Sequence, residues 1–113
     1  MMTSARQAAE AYVQRVRARD AKGVAGLFAE GGELASSNGR RAVGREAIAA
    51  FYEDTFARVG PVPQIVRAIG EGPVCAAELH VTAASGQVAK VIDVFELGAD
   101  GFITSLNIYR QGA

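Results

Sequence analysis

Asp93 is the carboxylate with the most unusual setting in this sequence, because it lies inside the strand-like run KVIDVFEL at residues 90–97. Alternation along a strand places it on the same face as Val91 and Phe95. An ionised carboxylate among apolar side chains is costly, so it is either paired or raises its pKa and stays protonated. Two interpretations are therefore open: a strand acid that faces water or pairs with an arginine on a neighbouring strand, and a neutral hydrogen-bond donor inside a pocket.

Two more titratable side chains, Glu78 and His80, lie on the preceding β-rich run. A two-residue turn at Ser85–Gly86, or a four-residue loop, places both on the face of Asp93, whereas a three-residue loop places them on the opposite face. On the pocket face, a glutamate beside a histidine and a protonated acid could abstract a proton, add water or open an epoxide through a water molecule. On the opposite face, the two residues belong to a solvated edge.

Composition and charge exclude several classes of function. The length predicts one domain over residues 1–113, and twelve Lys and Arg balance twelve Asp and Glu, so we expect no nucleic acid partner. Cys75 is the only cysteine and His80 the only histidine, which excludes a disulfide and a zinc cluster of the usual ligand spacing. We expect no metal and no cofactor.

The apolar segments are too short for targeting or for membrane insertion. Residues 1–20 have no apolar core of signal-peptide length, and no apolar stretch approaches the ~20 residues that cross a bilayer. We therefore expect a cytoplasmic protein with no membrane partner.

The elements that must position Asp93 begin with helices. Helical spacing of apolar residues predicts three of them, over Ser4 to about Arg19, residues 21–30 and residues 44–59. Ser4 and Gln7 form the expected capping box of the first helix. Asp20 is the expected N-cap of the second helix, and Gly31-Gly32 is expected to end it.

Strand signals follow the helices. ELASS, at residues 33–37, is typical of a strand, and NGR after it is typical of a turn. Beyond Pro63, short turns separate four β-rich runs, QIVRAIG, PVCAAELHVTA, QVAKVIDVFEL and FITSLNIYR. The order α-α-β-α-β-β-β-β predicts the α+β class, with three N-terminal helices packed in a curved, mainly antiparallel sheet.

The run that contains Asp93 is apolar on both of its faces. The face opposite Asp93 carries Val88, Ile92 and Val94. Because helices cover only one face of the sheet, the other face would leave an apolar patch. We therefore expect a homodimer that forms through the sheet.

Five stretches, in this order and at these separations, carry a resemblance over nearly the whole chain: YVQRVRARD, GVAGLFAE, GREAIAAFY, VIDVFEL and DGFITSLNIY. Together they resemble the ketosteroid isomerase branch of the NTF2-like (SnoaL-like) superfamily. The resemblance implies a cone in which a bent sheet wraps around three helices, with the pocket inside the cone. It also implies a dimer formed through the sheet.

The resemblance implies roles for three residues. Tyr12 falls at the position of the family's oxyanion-hole tyrosine, and Asp93 falls at the position of its protonated aspartic acid. This family is the standard example of a carboxylic acid held neutral so that it can donate a hydrogen bond. Two such donors would stabilise a dienolate. Tyr52 matches a tyrosine that supports the first one, although both tyrosines also fit the core stripe of a helix.

The family's catalytic base is an aspartate just after the second helix, and Ser36 stands at that position here. A serine hydroxyl is not a general base at neutral pH without help, and loss of such a base typically lowers the rate ~10²–10⁴-fold. Glu33 lies nearby but has the opposite strand parity, so we expect it to face away from the pocket. A replacement base, if there is one, would be Glu78 or His80.

The sequence and the resemblance together predict an enzyme of the steroid delta-isomerase type that stabilises a dienolate or oxyanion of a small hydrophobic, steroid- or polyketide-like carbonyl compound. The alternatives are a SnoaL-like cyclase, hydratase or epoxide hydrolase, and a non-catalytic protein that binds a small ligand. The residues expected to contact the substrate are Phe28, Asn38, Phe51, Tyr52, Val91, Leu106 and Ile108.

Overall fold

The computed structural model describes residues 2–111, within which three helices and six strands form the fold. Their bounds are α1 Ala5–Arg17, α2 Ala21–Gly26, β1 Phe28–Ser36, β2 Arg41–Val43, α3 Arg45–Arg58, β3 Val62–Ile69, β4 Val74–Thr82, β5 Val88–Leu97 and β6 Ile103–Arg110. The predicted α+β class is confirmed. None of the helices within residues 2–111 is long and apolar enough to cross a membrane.

Side chains at the predicted positions begin the first two helices. The Ser4 hydroxyl accepts a hydrogen bond from the Gln7 backbone N–H at 3.2 Å, and the Gln7 side chain accepts one from the Thr3 N–H at 2.7 Å. The return bond of the capping box therefore reaches Thr3 rather than Ser4. Asp20 accepts from the Gly23 N–H at 2.9 Å, which confirms it as the N-cap of α2.

The predicted end of α2 is wrong. The helix ends at Gly26, Phe28 already begins β1, and the glycine pair lies inside that strand. The pairing of β1 with β6 is irregular between Phe28 and Glu33, and a Cβ on Gly32 would lie 2.9 Å from the Ile103 carbonyl oxygen. Gly32 therefore allows two strands to approach closely, and it does not end a helix. The three-residue strand β2, Arg41–Val43, was not predicted.

The six strands form one sheet in the order β2-β1-β6-β5-β4-β3. The β1–β6 pair is parallel and every other pair is antiparallel, so the prediction of a mainly antiparallel sheet is confirmed. The helices cover one face, called the inner face here. Along β5, Val91, Asp93 and Phe95 are buried on it, whereas Val88 and Ile92 are 57% and 46% exposed on the outer face.

The hairpin between β4 and β5 has a three-residue loop, the alternative that places Glu78 and His80 on the face opposite Asp93. Thr82 pairs with Val88, and the Ala83 N–H donates to the Gln87 carbonyl at 2.9 Å, which leaves residues 84–86 as a three-residue loop. Gly86 has a φ of +91°, a conformation that favours glycine. As a consequence Ala77, and not Glu78, pairs with Asp93.

Candidate active site

Asp93 lies on the inner face of β5 and is 2% exposed. Its Oδ1 atom has no hydrogen-bond partner within the described residues. Burial raises the pKa of the Asp93 carboxyl from 3.8 to about 8, because the charged form is poorly solvated there. At neutral pH the carboxyl is therefore mainly protonated and can donate a hydrogen bond. Of the two interpretations of Asp93, the water-facing acid paired with an arginine is excluded.

Two tyrosines from different helices meet beside Asp93. The hydroxyl oxygens of Tyr12, on α1, and Tyr52, on α3, are 2.5 Å apart, and the rings meet edge to face with centroids 5.9 Å apart. The Tyr12 ring also packs against Phe95, with centroids 5.3 Å apart. Burial raises the pKa of both hydroxyls, and a charge on Asp93 would raise both further. The three groups therefore share one buried environment in which neutral forms are favoured.

Ser36 and Asp93 lie in one row across the inner face of the sheet. Ser36, the last residue of β1, pairs with Ile108 of β6, and Ile108 pairs with Asp93 of β5. Two strand spacings separate Ser36 from Asp93, which places their backbones about 10 Å apart. A substrate could therefore contact the buried acid with one atom and face residue 36 with another.

These groups line a cavity of about 530 Å³ between α1, α3 and the inner face of the sheet. That volume lies in the range usual for small-molecule sites, which is about 300–1,000 Å³. Val16, Leu79 and Val81 supply apolar wall. The predicted site residues that line this cavity are Tyr12, Ser36, Asn38, Phe51, Tyr52, Val91, Asp93 and Ile108.

Two residues expected to contact the substrate, Phe28 and Leu106, lie in the core instead. Both are fully buried, and neither lines the cavity. Leu106 pairs with Phe95 in the row next to Ile108, and Phe28 pairs with Ile103 farther along the sheet. Packed side chains fill those rows of the inner face, so the cavity occupies only the end of the sheet nearer the β4–β5 hairpin.

Of the two placements left open for Glu78 and His80, the observed register selects the face opposite Asp93. They pair with Ile92 and Lys90 on the outer face, and neither lines the cavity. Glu78 forms an ion pair with Arg67, with 2.9 Å between the carboxylate oxygen and the guanidinium nitrogen. Glu33 also faces away, as predicted, and contacts Arg41 at 2.8 Å. Within residues 2–111, Asp93 is thus the only carboxylate that lines the cavity.

Three arginines at the cavity mouth were missed by the sequence analysis: Arg40, Arg58 and Arg110. Arg110 shares strand parity with Ile108, so its position on the pocket face could have been derived from β6 alone. Arg58 ends α3 on the same helical face as Phe51 and Thr55, so helical spacing could have placed it too, whereas Arg40 lies in the turn before β2, where no periodic pattern marks a direction. No group of three or more potential metal-ligating side chains occurs in the described part of the chain.

The family model for the SnoaL-like domain matches residues 9–106. None of the curated proteins compared with the chain matches it.

Several solved structures share the fold. A Catenulispora acidiphila protein with a ketosteroid isomerase-like fold, in complex with trimethylamine, has a TM-score of 0.82 at 18% identity, over 89% of this chain and 82% of its own. An NTF2-like protein of unknown function from Cytophaga hutchinsonii has a TM-score of 0.80 at 15% identity, over 98% and 92%. A Sphaerobacter thermophilus protein has a TM-score of 0.75 at 28% identity, over 93% and 94%. The predicted NTF2-like fold is confirmed.

Proposed function

The chain belongs to the SnoaL-like domain family, and we propose that it binds a small hydrophobic carbonyl compound and stabilises negative charge on its oxygen, as a steroid delta-isomerase does. The observation that carries the proposal is the buried Asp93 carboxyl, whose pKa burial raises to about 8 and whose Oδ1 is unpartnered within the described residues, beside the Tyr12–Tyr52 pair. A buried polar group without a partner is unfavourable for the free protein, so a ligand that supplies the partner recovers that energy.

The proposed mechanism uses Tyr12 and Asp93 as two hydrogen-bond donors to one substrate oxygen. Either hydroxyl of the Tyr12–Tyr52 pair can be the donor. The mechanism uses the arrangement in which Tyr52 donates to the Tyr12 oxygen, since this leaves the Tyr12 proton free for the substrate. As the substrate loses a proton from carbon, charge moves to the oxygen, where both bonds strengthen. Such donors are effective because they are already in place and little water competes with them.

Proton removal is the weak step of this mechanism. Ser36 occupies the position from which a carboxylate would take the proton, and its hydroxyl has no adjacent base among the residues that line the cavity. Water is therefore the proton acceptor in the wild-type protein, and we expect slow turnover of a steroid.

A Ser36→Asp variant tests the proposal with an unsaturated 3-ketosteroid, followed by the absorbance of the conjugated product. We expect about 10²–10⁴-fold faster isomerisation than in the wild-type protein. Ser36→Asn is the matched control, because it has nearly the same shape without basicity, and it should remain slow. No gain in Ser36→Asp would contradict an isomerase that lacks only its base.

Binding of equilenin, a phenol that mimics the dienolate, tests the donors separately from the base. We expect binding in the wild-type protein and weaker binding in Tyr12→Phe. Tight equilenin binding without turnover in either the wild-type protein or Ser36→Asp would favour a non-catalytic ligand-binding protein.

A second candidate is a SnoaL-like cyclase or hydratase in which Asp93 itself transfers protons. It is favoured by the fact that Asp93 is the one carboxylate lining the cavity within residues 2–111, with a pKa of about 8. The pH profile separates the two candidates. A donor role requires the protonated acid, so activity falls as pH rises through about 8, whereas a base role makes activity rise over the same range.

A further inference from the structure

We propose that the ligand of this pocket carries an anionic group, such as a carboxylate, at the end opposite its carbonyl oxygen, and that Arg40 and Arg110 bind this group at the cavity mouth. The inference rests on the proposed function, since it places the carbonyl oxygen at Tyr12 and Asp93.

The charges of the lining residues favour an anion. Arg40, Arg58, Arg110 and Asp93 are the residues with ionisable acidic or basic side chains, other than tyrosine, that line the cavity. With Asp93 protonated, the wall carries three positive charges and no negative one at neutral pH. Asp54, which does not line the cavity, lies 3.3 Å from the Arg40 guanidinium and 3.8 Å from that of Arg58. The single carboxylate of Asp54 can neutralise only one of these two guanidinium charges, so a positive charge remains.

Sheet pairing fixes the backbone position of Arg110. It pairs with Val91 across the sheet, two residues along β6 from Ile108, which pairs with Asp93. Two residues of a strand span about 6.8 Å toward the mouth. The Arg110 N–H donates to the Ser37 hydroxyl at 3.0 Å, which anchors this end of β6. No acid within residues 2–111 forms an ion pair with its guanidinium.

Arg40 approaches the same mouth from the β1–β2 turn. Its carbonyl accepts from the Ser36 N–H at 2.8 Å, so it lies across the turn from the base position. Its guanidinium carbon lies 4.3 Å from the centre of the Phe51 ring, and its guanidinium forms an ion pair with Asp54. The Phe51 ring thus packs against the Arg40 guanidinium, and a guanidinium can bind the two oxygens of a carboxylate side by side.

The charged mouth and the neutral floor are separate zones. Burial accounts for the raised pKa of Asp93, and no guanidinium lowers it. An anion bound at the mouth therefore leaves Asp93 protonated and able to donate. The geometry fits a ligand whose carbonyl or phenol oxygen and anionic group are about 7–10 Å apart, given the strand rise between the two zones.

A matched pair of fluorescent probes tests the inference: 6-hydroxy-2-naphthoate, with a phenol at one end and a carboxylate at the other, and its neutral methyl ester. We expect the naphthoate to bind the wild-type protein about tenfold more tightly than the ester. In Arg110→Gln and Arg40→Gln, naphthoate affinity should fall to that of the ester, while ester affinity stays within about twofold. Arg67→Gln, the same change on the outer face, should alter neither affinity.

The outcomes separate the inference from the function on which it rests. If both probes bind equally and Tyr12→Phe weakens both, the anionic group is overturned and the oxyanion site stands. If neither probe binds, or if Tyr12→Phe changes neither affinity, both the inference and the proposed function are overturned. Added salt should reduce the naphthoate's advantage without weakening the ester, because screening acts on the charged contact.

Discussion

Asp93 and Glu78 lie on neighbouring strands one register step apart, yet their carboxyls occupy opposite environments. Asp93 points to the inner face, is 2% exposed, and its Oδ1 lacks a partner in the described structure. Glu78 points to the outer face and is paired with Arg67 at 2.9 Å. The face of the sheet, rather than the type of residue, thus decides whether a carboxyl becomes a neutral donor or an ordinary surface ion.

The largest difference between the two acids should appear in the pH dependence of stability. Between its unfolded pKa near 4 and its folded pKa of about 8, Asp93 binds a proton in the folded state that the unfolded state has released. Stability is therefore lost as pH rises, by about 4 kcal/mol between about pH 5 and about pH 9. Urea unfolding at the two pH values measures this loss of stability.

Two variants control this prediction. Asp93→Asn should flatten the dependence, because it has no proton to lose, and Glu78→Gln is the matched change on the outer face. Equal slopes in the wild-type protein and Asp93→Asn would show that Asp93 is ionised in the folded state.

Tyr12 on the inner side and Tyr109 on the outer face extend the comparison between the two faces of the sheet. Tyr12→Phe leaves the buried Tyr52 hydroxyl without its partner, so the free energy of unfolding should fall by about 1–3 kcal/mol. Tyr109 lies on the outer face and is 53% exposed, so Tyr109→Phe should change stability by less than about 0.5 kcal/mol. Thermal or urea unfolding measures both, and similar losses in the two variants would contradict the partition between faces.

The outer ion pair should contribute less than the inner hydroxyl pair. Glu78→Gln and Arg67→Gln should each lower stability by about 0.2–1 kcal/mol, because Arg67 is largely exposed. A double-mutant cycle gives the interaction itself, which should vanish at high salt. A cost that persists in high salt would mean that Glu78 is held by something other than this pair.

The smallest expected effect on chain stability concerns the apolar part of the outer face, through which we propose that two copies pair. Ile92→Lys should change the unfolding free energy of the monomer by less than about 0.5 kcal/mol, since Ile92 is 46% exposed. The same change should convert a dimer to a monomer by placing two charges at the shared surface. Light scattering measures the mass, and a monomeric wild-type protein at micromolar concentration would rule the pairing out.

Local signals in the sequence predicted the parts of the fold that depend on neighbouring residues. Ser4 and Asp20 cap helices as expected, and alternation placed Asp93 on the same face of its strand as Val91 and Phe95. The end of α2 was not predictable in this way, because Leu27 and Phe28 suit a helix and a strand equally well. What makes Phe28 a strand residue is its pairing with Ile103, far along the chain.

The same distinction between local signals and long-range pairing applies to the residues of the candidate site. Tyr12, Tyr52 and Asp93 could be placed from periodicity and resemblance, because each lies within a regular element. The positions of Glu78 and His80 depended on one loop length, and the residues between Ala83 and Gln87 suit two, three or four loop residues. Only the pairing of the whole strands selects among those lengths.

The row that joins Ser36, Ile108 and Asp93 has a consequence for how such a protein can evolve. Residue 36 belongs to β1, whereas the two proposed donors belong to α1 and β5, and only β6 connects the two parts of the row. A change of side chain at position 36 can therefore add or remove an acid–base group without repacking the donors. One fold could in this way pass between a binder and an enzyme by single substitutions while its ligand pocket is inherited unchanged.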